Sequence, residues 1–153
     1  MKPRQFDEFF RTLQECTSVE AVFAEYRRDV VAEGFENVVF ARVIPNGEHE
    51  IPFIERPSEL PRVYLRERFV ESDPVVLALQ FRSQPFLWTD IIRQHDWSKR
   101  SREAFGVCDD LGCKKGLTIP FHRPNNGCDM FSLSFRDTQT FDPKRLAAVN
   151  LKS

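Results

Sequence analysis

The sequence lacks an apolar run approaching the roughly 20 residues that a membrane span requires. Its amino terminus, Met1 to Glu8, carries no signal-peptide core. An excess of charge of one sign is also lacking, because 22 Lys and Arg stand against 23 Asp and Glu, for a net charge of −1. This balance argues against bulk electrostatic binding to nucleic acid or to an anionic membrane. We therefore expect a cytoplasmic protein in which another segment makes any contact with DNA.

Cysteine is sparse and irregularly spaced. The four residues, Cys16, Cys108, Cys113 and Cys128, have neither CxxC spacing nor the density of a disulfide scaffold, so reduced thiols are expected. A zinc site built from Cys108, Cys113, His122 and Cys128 is the alternative, but the spacing fits no compact metal knuckle. The sequence therefore predicts no metal and no other cofactor.

Features of an enzyme are missing as well. The three histidines, His49, His95 and His122, lie in polar or loop contexts with no paired nucleophile. No phosphate-binding loop is present. Acid–base chemistry by Asp73 beside Tyr64 is the one enzymatic alternative, and no nucleophile or metal set accompanies it. The sequence favours a protein that is not an enzyme.

What the sequence does contain is enough apolar material for one sizeable core. A chain of 153 residues is about one domain's worth and buries roughly two thirds of its unfolded surface. Apolar residues make up 41% of it, and fifteen are Phe, whose rings can fill a core or wall a cavity. We predict a single domain over residues 1–153.

Hydrophobic periodicity and turn signals give the order of elements. Helices and strands alternate in a pattern typical of a mixed α/β (α+β) domain, with an antiparallel sheet between helical layers. The predicted elements are helices over 6–13 and from a capping box at Thr17–Glu20, strands over 35–44 and 51–55, a short helix over 57–68, a helix from Asp73-Pro74, a helix over 98–111, strands over 116–121 and 130–136, and a helix from Asp142-Pro143.

Three side chains of different chemistry stand on separate short elements: the phenol of Tyr64, the carboxylate of Asp73 and the indole of Trp88. Together they can converge on one small polar ligand. The plainer alternatives are a helix cap for Asp73 and core packing for the two aromatic residues. On the last strand, alternation places Ser132 and Ser134 on one face, which favours a polar side that faces a cavity.

Tyr64, Asp73-Pro74, Pro85-Phe86, Trp88 and Gly116-Leu-Thr-Ile-Pro120 stand in the order and register of a known family. In these features the chain resembles the autoinducer-binding domain of LuxR-type quorum-sensing transcriptional regulators, over nearly its whole length. The resemblance implies an α-β-α sandwich with a central antiparallel sheet of about five strands. It also implies a cavity between sheet and helices that holds an N-acyl-homoserine lactone or a related acylated signal, in one half of a dimeric regulator.

The resemblance also implies residue roles. Asp73 accepts a hydrogen bond from the ligand amide N–H, while Tyr64 and Ser132 donate to the acyl carbonyl. Trp88 packs on the head group, and Gly116 matches a family glycine with a backbone role. The remaining positions carried over are Phe105 and Thr118 as pocket residues and Pro74 as a structural residue.

Two positions depart from the family pattern. Leu60 stands where a tryptophan N–H bonds the lactone carbonyl, and Leu has no donor. An unpaired, desolvated carbonyl costs roughly 1–3 kcal/mol. Arg56 stands at a position that is usually tyrosine, where its guanidinium either lies in solvent or binds an acidic or carbonyl-bearing head group. The sequence therefore does not specify the head group of the ligand.

A helix-turn-helix DNA-binding domain follows this domain in the family. Here the sequence ends at Ser153, inside the predicted last helix, so DNA contact is expected only through a further domain. The sequence is consistent with a trimmed piece of a longer protein, with a fragment, or with a naturally shortened protein. The alternative function is a stand-alone interaction module of the same fold, which dimerises with or antagonises a full-length regulator and binds no lactone.

Overall fold

The computed structural model describes residues 2–44, 50–55, 63, 66–110, 115–135 and 143–152. Among these residues no helix has the length and apolarity needed to cross a membrane. The helices are α1 Phe6–Gln14, α2 Val19–Ala32, α3 Pro74–Ala78, α4 Trp88–Gln94, α5 Lys99–Asp110 and α6 Pro143–Lys152, with a 3₁₀ turn at Phe69–Glu71. The strands are β1 Asn37–Val43, β2 Glu50–Glu55, β3 Phe86–Leu87, β4 Lys115–His122 and β5 Cys128–Phe135.

The strands form one sheet in the order β2-β1-β5-β4-β3, and every neighbouring pair is antiparallel. Four strands are long, and β3 adds a two-residue edge. The β4–β5 hairpin places Thr118 opposite Ser132, and β1 continues that row with Val39. The predicted α-β-α architecture is confirmed.

Side-chain alternation divides the core into two clusters, one on each face of the sheet. On the first face, strand residues such as Leu117 and Leu133 pack with Phe9 and Tyr26 of α1 and α2 and with Val149 of α6. We call this the packed face. On the second face, strand residues pack against the 3₁₀ turn and α3 to α5; this face, called the ligand face below, includes Ala41, Cys128, Met130, Val75, Ile91 and Ala104.

Local sequence determines where some of the helices begin. Asp73 caps α3 with Pro74 at the first helical position, as predicted. The cap of α2 is one residue later than predicted, because Ser18 rather than Thr17 accepts the hydrogen bond from the Ala21 N–H, at 3.1 Å. Helix α4 begins at Trp88 without a side-chain cap, so the sequence contains no capping signal that predicts where this helix starts.

A buried charge cluster joins the amino-terminal segment to the last helix on the packed face. Asp29 of α2 accepts from Arg4 Nε at 2.8 Å and from Lys152 Nζ at 3.0 Å. The Lys152 ammonium also donates to the Arg4 carbonyl oxygen at 2.6 Å. Both cations lie over the ring of Phe9, at 5.3 and 5.5 Å from its centroid. The cluster therefore fixes α6 against α1 and α2.

Candidate functional site

Asp73 is held in place by the start of α3. Its side chain is buried, and Oδ1 accepts a hydrogen bond from the Val75 N–H at 2.8 Å. Its own N–H donates to the carbonyl of Phe69 in the 3₁₀ turn at 2.8 Å. With Pro74 fixing the first helical dihedral, the carboxylate has little freedom to move. A buried acceptor on the helical layer of the ligand face is the result.

On the sheet side, the indole of Trp88 is the first member of a row of hydrogen bonds. Its Nε1–H donates to Thr118 Oγ1 at 2.9 Å, and Thr118 is fully buried. The Thr118 hydroxyl lies 3.2 Å from Ser132 Oγ on the neighbouring strand. Ser132 Oγ also contacts the sulfur of Met130 at 3.8 Å. These groups form a polar row under an otherwise apolar layer.

Gly116 explains how the indole can lie so close to the sheet. A Cβ at this position would stand 2.6 Å from the Leu133 carbonyl oxygen and 2.7 Å from two atoms of the Trp88 ring. Such distances are too short for any side chain, so only glycine allows this packing. The position of Trp88, and with it the polar row, depends on Gly116.

Beyond the polar row lies a cavity of about 600 Å³ between β1, the β4–β5 hairpin and α3. Val76, one turn along from Asp73, is part of its wall. Burial raises the pKa of the Cys128 thiol in this wall, so the thiol stays neutral at physiological pH. The apolar lining is Val43, Ile44, Val70, Val76, Leu77, Leu79 and Cys128, and the polar rim is Glu71, Gln80, His122, Arg123 and Asn126.

The structure brings together most of the predicted site residues that it describes. Trp88, Thr118, Ser132 and Gly116 adjoin one another, and α3, which Asp73 begins, packs against α4. Phe105 is half-buried and packs against the same core cluster. The other three predicted residues, Tyr64, Leu60 and Arg56, lie outside the described residues, and their roles stay predictions.

The cavity rim was missed by the sequence analysis. The sequence pattern gives His122 only a polar context and a place in the zinc alternative, and it gives Arg123 no role. Alternation along β4 carried the signal, because Thr118 and His122 are four residues apart on one strand and share a face. Within the described ranges, His, Cys, Asp and Glu form no group of three that could hold a metal ion.

Chemically, this arrangement suits a molecule with a polar end and an apolar end. Asp73 supplies an acceptor, the hydroxyls of Thr118 and Ser132 supply donors and acceptors, and the cavity supplies an apolar compartment two rows further along the same strands. A site with a few convergent polar groups and an apolar wall is typical of small-molecule binding.

Comparison with known proteins agrees with this geometry. The sequence profile of the family described as "Autoinducer binding domain" matches residues 18–152. The chain belongs to this family. It is a signal-sensing regulatory domain whose partner is a small-molecule signal. A search of curated proteins found no match to this autoinducer-binding domain.

Solved structures share the fold of this autoinducer-binding domain at low identity. The LuxR-family factor CepR2 of Burkholderia cenocepacia, described as N-acylhomoserine lactone dependent, has a TM-score of 0.73 at 18% identity, covering 95% of this chain and 85% of that one. The VqsR ligand-binding domain of Pseudomonas aeruginosa gives 0.70 at 13% identity, with coverages of 93% and 85%. Escherichia coli SdiA gives 0.72 at 16%, with coverages of 96% and 64%, so the chain spans less than two thirds of that protein.

Proposed function

We propose that this domain is a non-enzymatic, cytoplasmic sensor of an N-acyl-homoserine lactone or a related acylated signal, and that it regulates transcription in quorum sensing through dimerisation and a DNA-binding domain beyond Ser153. The observation that carries the proposal is that a polar row and an apolar cavity lie on the same face of the sheet, two rows apart along the strands.

The polar row is where the amide and carbonyl of the ligand bind. Ser132 donates to the acyl carbonyl together with Tyr64, and Asp73 accepts from the amide N–H. A hydrogen bond to a charged group contributes roughly 1.5–3 kcal/mol. Trp88, fixed by Thr118, forms a flat wall for the head group. The acyl chain extends along the sheet into the cavity.

The head group is the less specified end of the ligand. Leu60 lacks the donor that a lactone carbonyl requires, and Arg56 offers a guanidinium in place of a flat ring. A structure of SdiA, similar in fold at 16% identity and a TM-score of 0.74, was determined in complex with octanoyl-rac-glycerol. It covers 99% of this chain and 64% of SdiA. An acylated signal that is not a lactone therefore belongs to the proposed ligand class.

Thermal melting of the purified chain with a panel of acyl-homoserine lactones and acyl glycerols tests the proposal. A ligand at a hundredfold excess over Kd stabilises the folded state by about 2.7 kcal/mol, which raises Tm by about 5–10 °C. Asp73→Asn separates two roles of one side chain, because Asn caps a helix as well as Asp does but carries no charge. We expect Asp73→Asn to keep the unliganded Tm and to lose most of the ligand shift.

Ser18→Ala is the matched control, because it removes the cap of α2, far along the chain from the site. It lowers the unliganded Tm and leaves the ligand shift intact. If Asp73→Asn shows the full ligand-induced rise in Tm, Asp73 acts only as a helix cap and does not bind the ligand. No shift with any member of the panel would refute acyl-signal sensing.

A second candidate is a protein-interaction module that binds no lactone and dimerises with or antagonises a full-length regulator. The observation that favours it is an exposed apolar patch on α1, where the stacked rings of Phe6 and Phe10 are 39% and 51% exposed. Analytical ultracentrifugation of Phe6→Ser/Phe10→Ser with and without acyl ligand distinguishes the two. Ligand-independent dimers that the variant abolishes support the module, whereas a stoichiometric acyl ligand extracted with the protein from its host excludes it.

A further inference from the structure

A second, smaller cleft lies at the edge of the sheet that β3 forms, and we call it the edge cleft. It has a volume of about 230 Å³ and is bounded by the segment leading into β3, by helix α4 and by strand β4. Its lining shares no residue with that of the larger cavity. The apolar wall includes Pro85, Leu87 and Ile91, and the polar wall consists of Arg82, Asp90 and Gln94.

Arg82 is a half-buried cation whose charge is not balanced by an acid. Its Nη2 donates to the neutral amide oxygen of Gln94 at 2.6 Å. Its Nε is shielded from solvent and has no hydrogen-bond partner, and no carboxylate pairs with this guanidinium among the residues that the structure describes. A guanidinium has five N–H donors, so donors at its tip remain for a ligand. A partly desolvated, uncompensated positive charge favours an anion.

The one acid of the edge cleft is already neutralised by a neighbour. Asp90 Oδ1 accepts from Arg93 Nη2 at 2.6 Å on the exposed side of α4. Two arginines and one aspartate therefore leave one net positive charge at the cleft. Gln94 lies one helical turn after Asp90 on the same face of α4, and its hydrogen bond holds the Arg82 side chain against this helix.

The size of the edge cleft limits what it can hold. Its volume is smaller than the roughly 300 Å³ at which pockets for drug-sized molecules begin. At about 30 Å³ for each water-sized group, it takes about eight non-hydrogen atoms. An acyl-homoserine lactone is larger than this, whereas a short branched carboxylate has the right size. Its carboxylate matches the guanidinium, and its hydrocarbon part matches the apolar wall.

We propose that the edge cleft is a second binding site, separate from the site of the acylated signal, for a small monocarboxylate with a compact apolar body. The carboxylate binds the guanidinium tip of Arg82, which Gln94 orients, and the apolar body lies against Pro85 and Leu87. The inference does not rest on the proposed function, because the two sites have no lining residue in common.

Two-dimensional NMR of the backbone amides, with the purified chain at constant ionic strength, tests the site with three probes. They are isovalerate, its neutral isostere isovaleramide, and acetate. We expect isovalerate to bind with a Kd of about 1 mM and to shift the amides of Leu87, Asp90 and Gln94 more than those of Val43 and Leu77 in the larger cavity. Isovaleramide lacks the charge and acetate lacks the apolar body, so both bind about tenfold more weakly or worse.

Substitution of Arg82 separates its charge from its shape. Arg82→Gln keeps a polar side chain without the charge, and we expect it to weaken isovalerate by about tenfold or more and to leave isovaleramide unchanged. Arg82→Lys keeps the charge but loses the planar fork, so isovalerate weakens by about threefold, and this variant carries the test if the glutamine variant does not fold. Arg11→Gln, which removes an exposed arginine of α1, is the matched control and leaves the affinity unchanged.

Four results overturn the proposal. They are no saturable shift with isovalerate, equal affinity for isovalerate and isovaleramide, shifts centred on Val43 and Leu77 instead of α4, and an equal loss in Arg11→Gln and Arg82→Gln. The last of these would show a general attraction of anions to arginine at the surface. Each leaves acyl sensing in place, because that function is tested by the effect of acylated ligands on Tm.

Discussion

Alternate residues of each strand lie on opposite faces of the sheet, and the two faces differ in how tightly they are packed. On the packed face, β5 contributes Phe131, Leu133 and Phe135 to a cluster of rings and aliphatic side chains. On the ligand face, the same strand contributes Cys128, Met130, Ser132 and Ser134. The rings fill their side of the sheet, whereas small and polar side chains on the other side leave a cavity of about 600 Å³.

This difference shows how a small domain can keep a cavity on one face of its sheet and still fold. A cavity forfeits packing energy, so the opposite face has to supply more of the stability. The Arg4, Asp29 and Lys152 cluster lies on that opposite face and joins both ends of the chain. Variants on the packed face are therefore expected to change stability alone, whereas variants on the ligand face are expected to change affinity, with or without a loss of stability.

The largest expected effect is on the packed face. Asp29→Ala leaves two cations, Arg4 and Lys152, buried without their common partner. Breaking a buried ion pair in this way costs about 3–5 kcal/mol. We expect urea denaturation to show a loss of this size. Protein that remains folded keeps its ligand affinity, because the cluster lies across the sheet from the site.

Asp90→Ala is the control, since it removes a carboxylate from an exposed pair with Arg93 and costs less than about 1 kcal/mol. A quadruple variant, Arg4→Met/Glu25→Gln/Asp29→Leu/Lys152→Met, also removes the charge of Glu25, which pairs with Arg4 at 2.8 Å, and recovers most of the stability. If Asp29→Ala weakens acyl binding as strongly as it weakens folding, the division between the two faces is wrong.

The next effect concerns the close approach on the ligand face. Gly116→Ala places a methyl group against a backbone carbonyl and the Trp88 ring, and such overpacking costs about 1–3 kcal/mol. Because the indole has to move, its bond to Thr118 is strained as well, and affinity falls together with stability. Denaturation and ligand titration of one preparation measure both.

Gly106→Ala is a matched control, because a Cβ there meets nothing within 4 Å. In the interior of α5 this change stabilises by about 0.5–1 kcal/mol. If Gly116→Ala and Gly106→Ala both change stability and ligand affinity only slightly, then Trp88 tolerates displacement and Gly116 does not position it.

A smaller effect is expected for the hydroxyl that links the polar row. Thr118→Val keeps the shape of the side chain and leaves the buried Trp88 Nε1–H without its acceptor, at a cost of about 1–2 kcal/mol. Thr118→Ser keeps the hydroxyl and serves as the control. Trp fluorescence reports the indole environment in both. A Thr118→Val protein with unchanged fluorescence and affinity would mean that the polar row does not orient the indole.

Much of this comparison was readable in the sequence. Alternation in β5 predicts that Ser132 and Ser134 share a face, and the structure confirms it, with Phe131 and Leu133 on the other face. The Asp73-Pro74 start of α3 was equally local, because cap and proline chemistry act within one turn. Periodicity and capping thus account for most of the architecture.

What the sequence did not reveal depends on contacts between distant segments. Strand β3 is two residues long and exists only because Phe86 and Leu87 pair with β4. The buried cluster joins Arg4 to Lys152 across the length of the chain, and no local pattern indicates it. The cavity, likewise, is set by the distance between layers, which no single segment encodes.

The smallest expected effect is the response of the cavity wall to alkaline pH. Burial raises the pKa of the Cys128 thiol, so its contribution to stability is complete below the unfolded value of about 8.5 and is lost as pH rises through the higher folded value. We expect Cys128→Ala to weaken this alkaline loss. Alkylation of Cys128, followed by peptide mass spectrometry, is slow because the thiolate is scarce, and dodecanoyl lactone slows it further if the chain reaches the wall. Cys16, on the linker between α1 and α2, is the internal control, and equal protection of both thiols would point to global stabilisation instead of an occupied cavity.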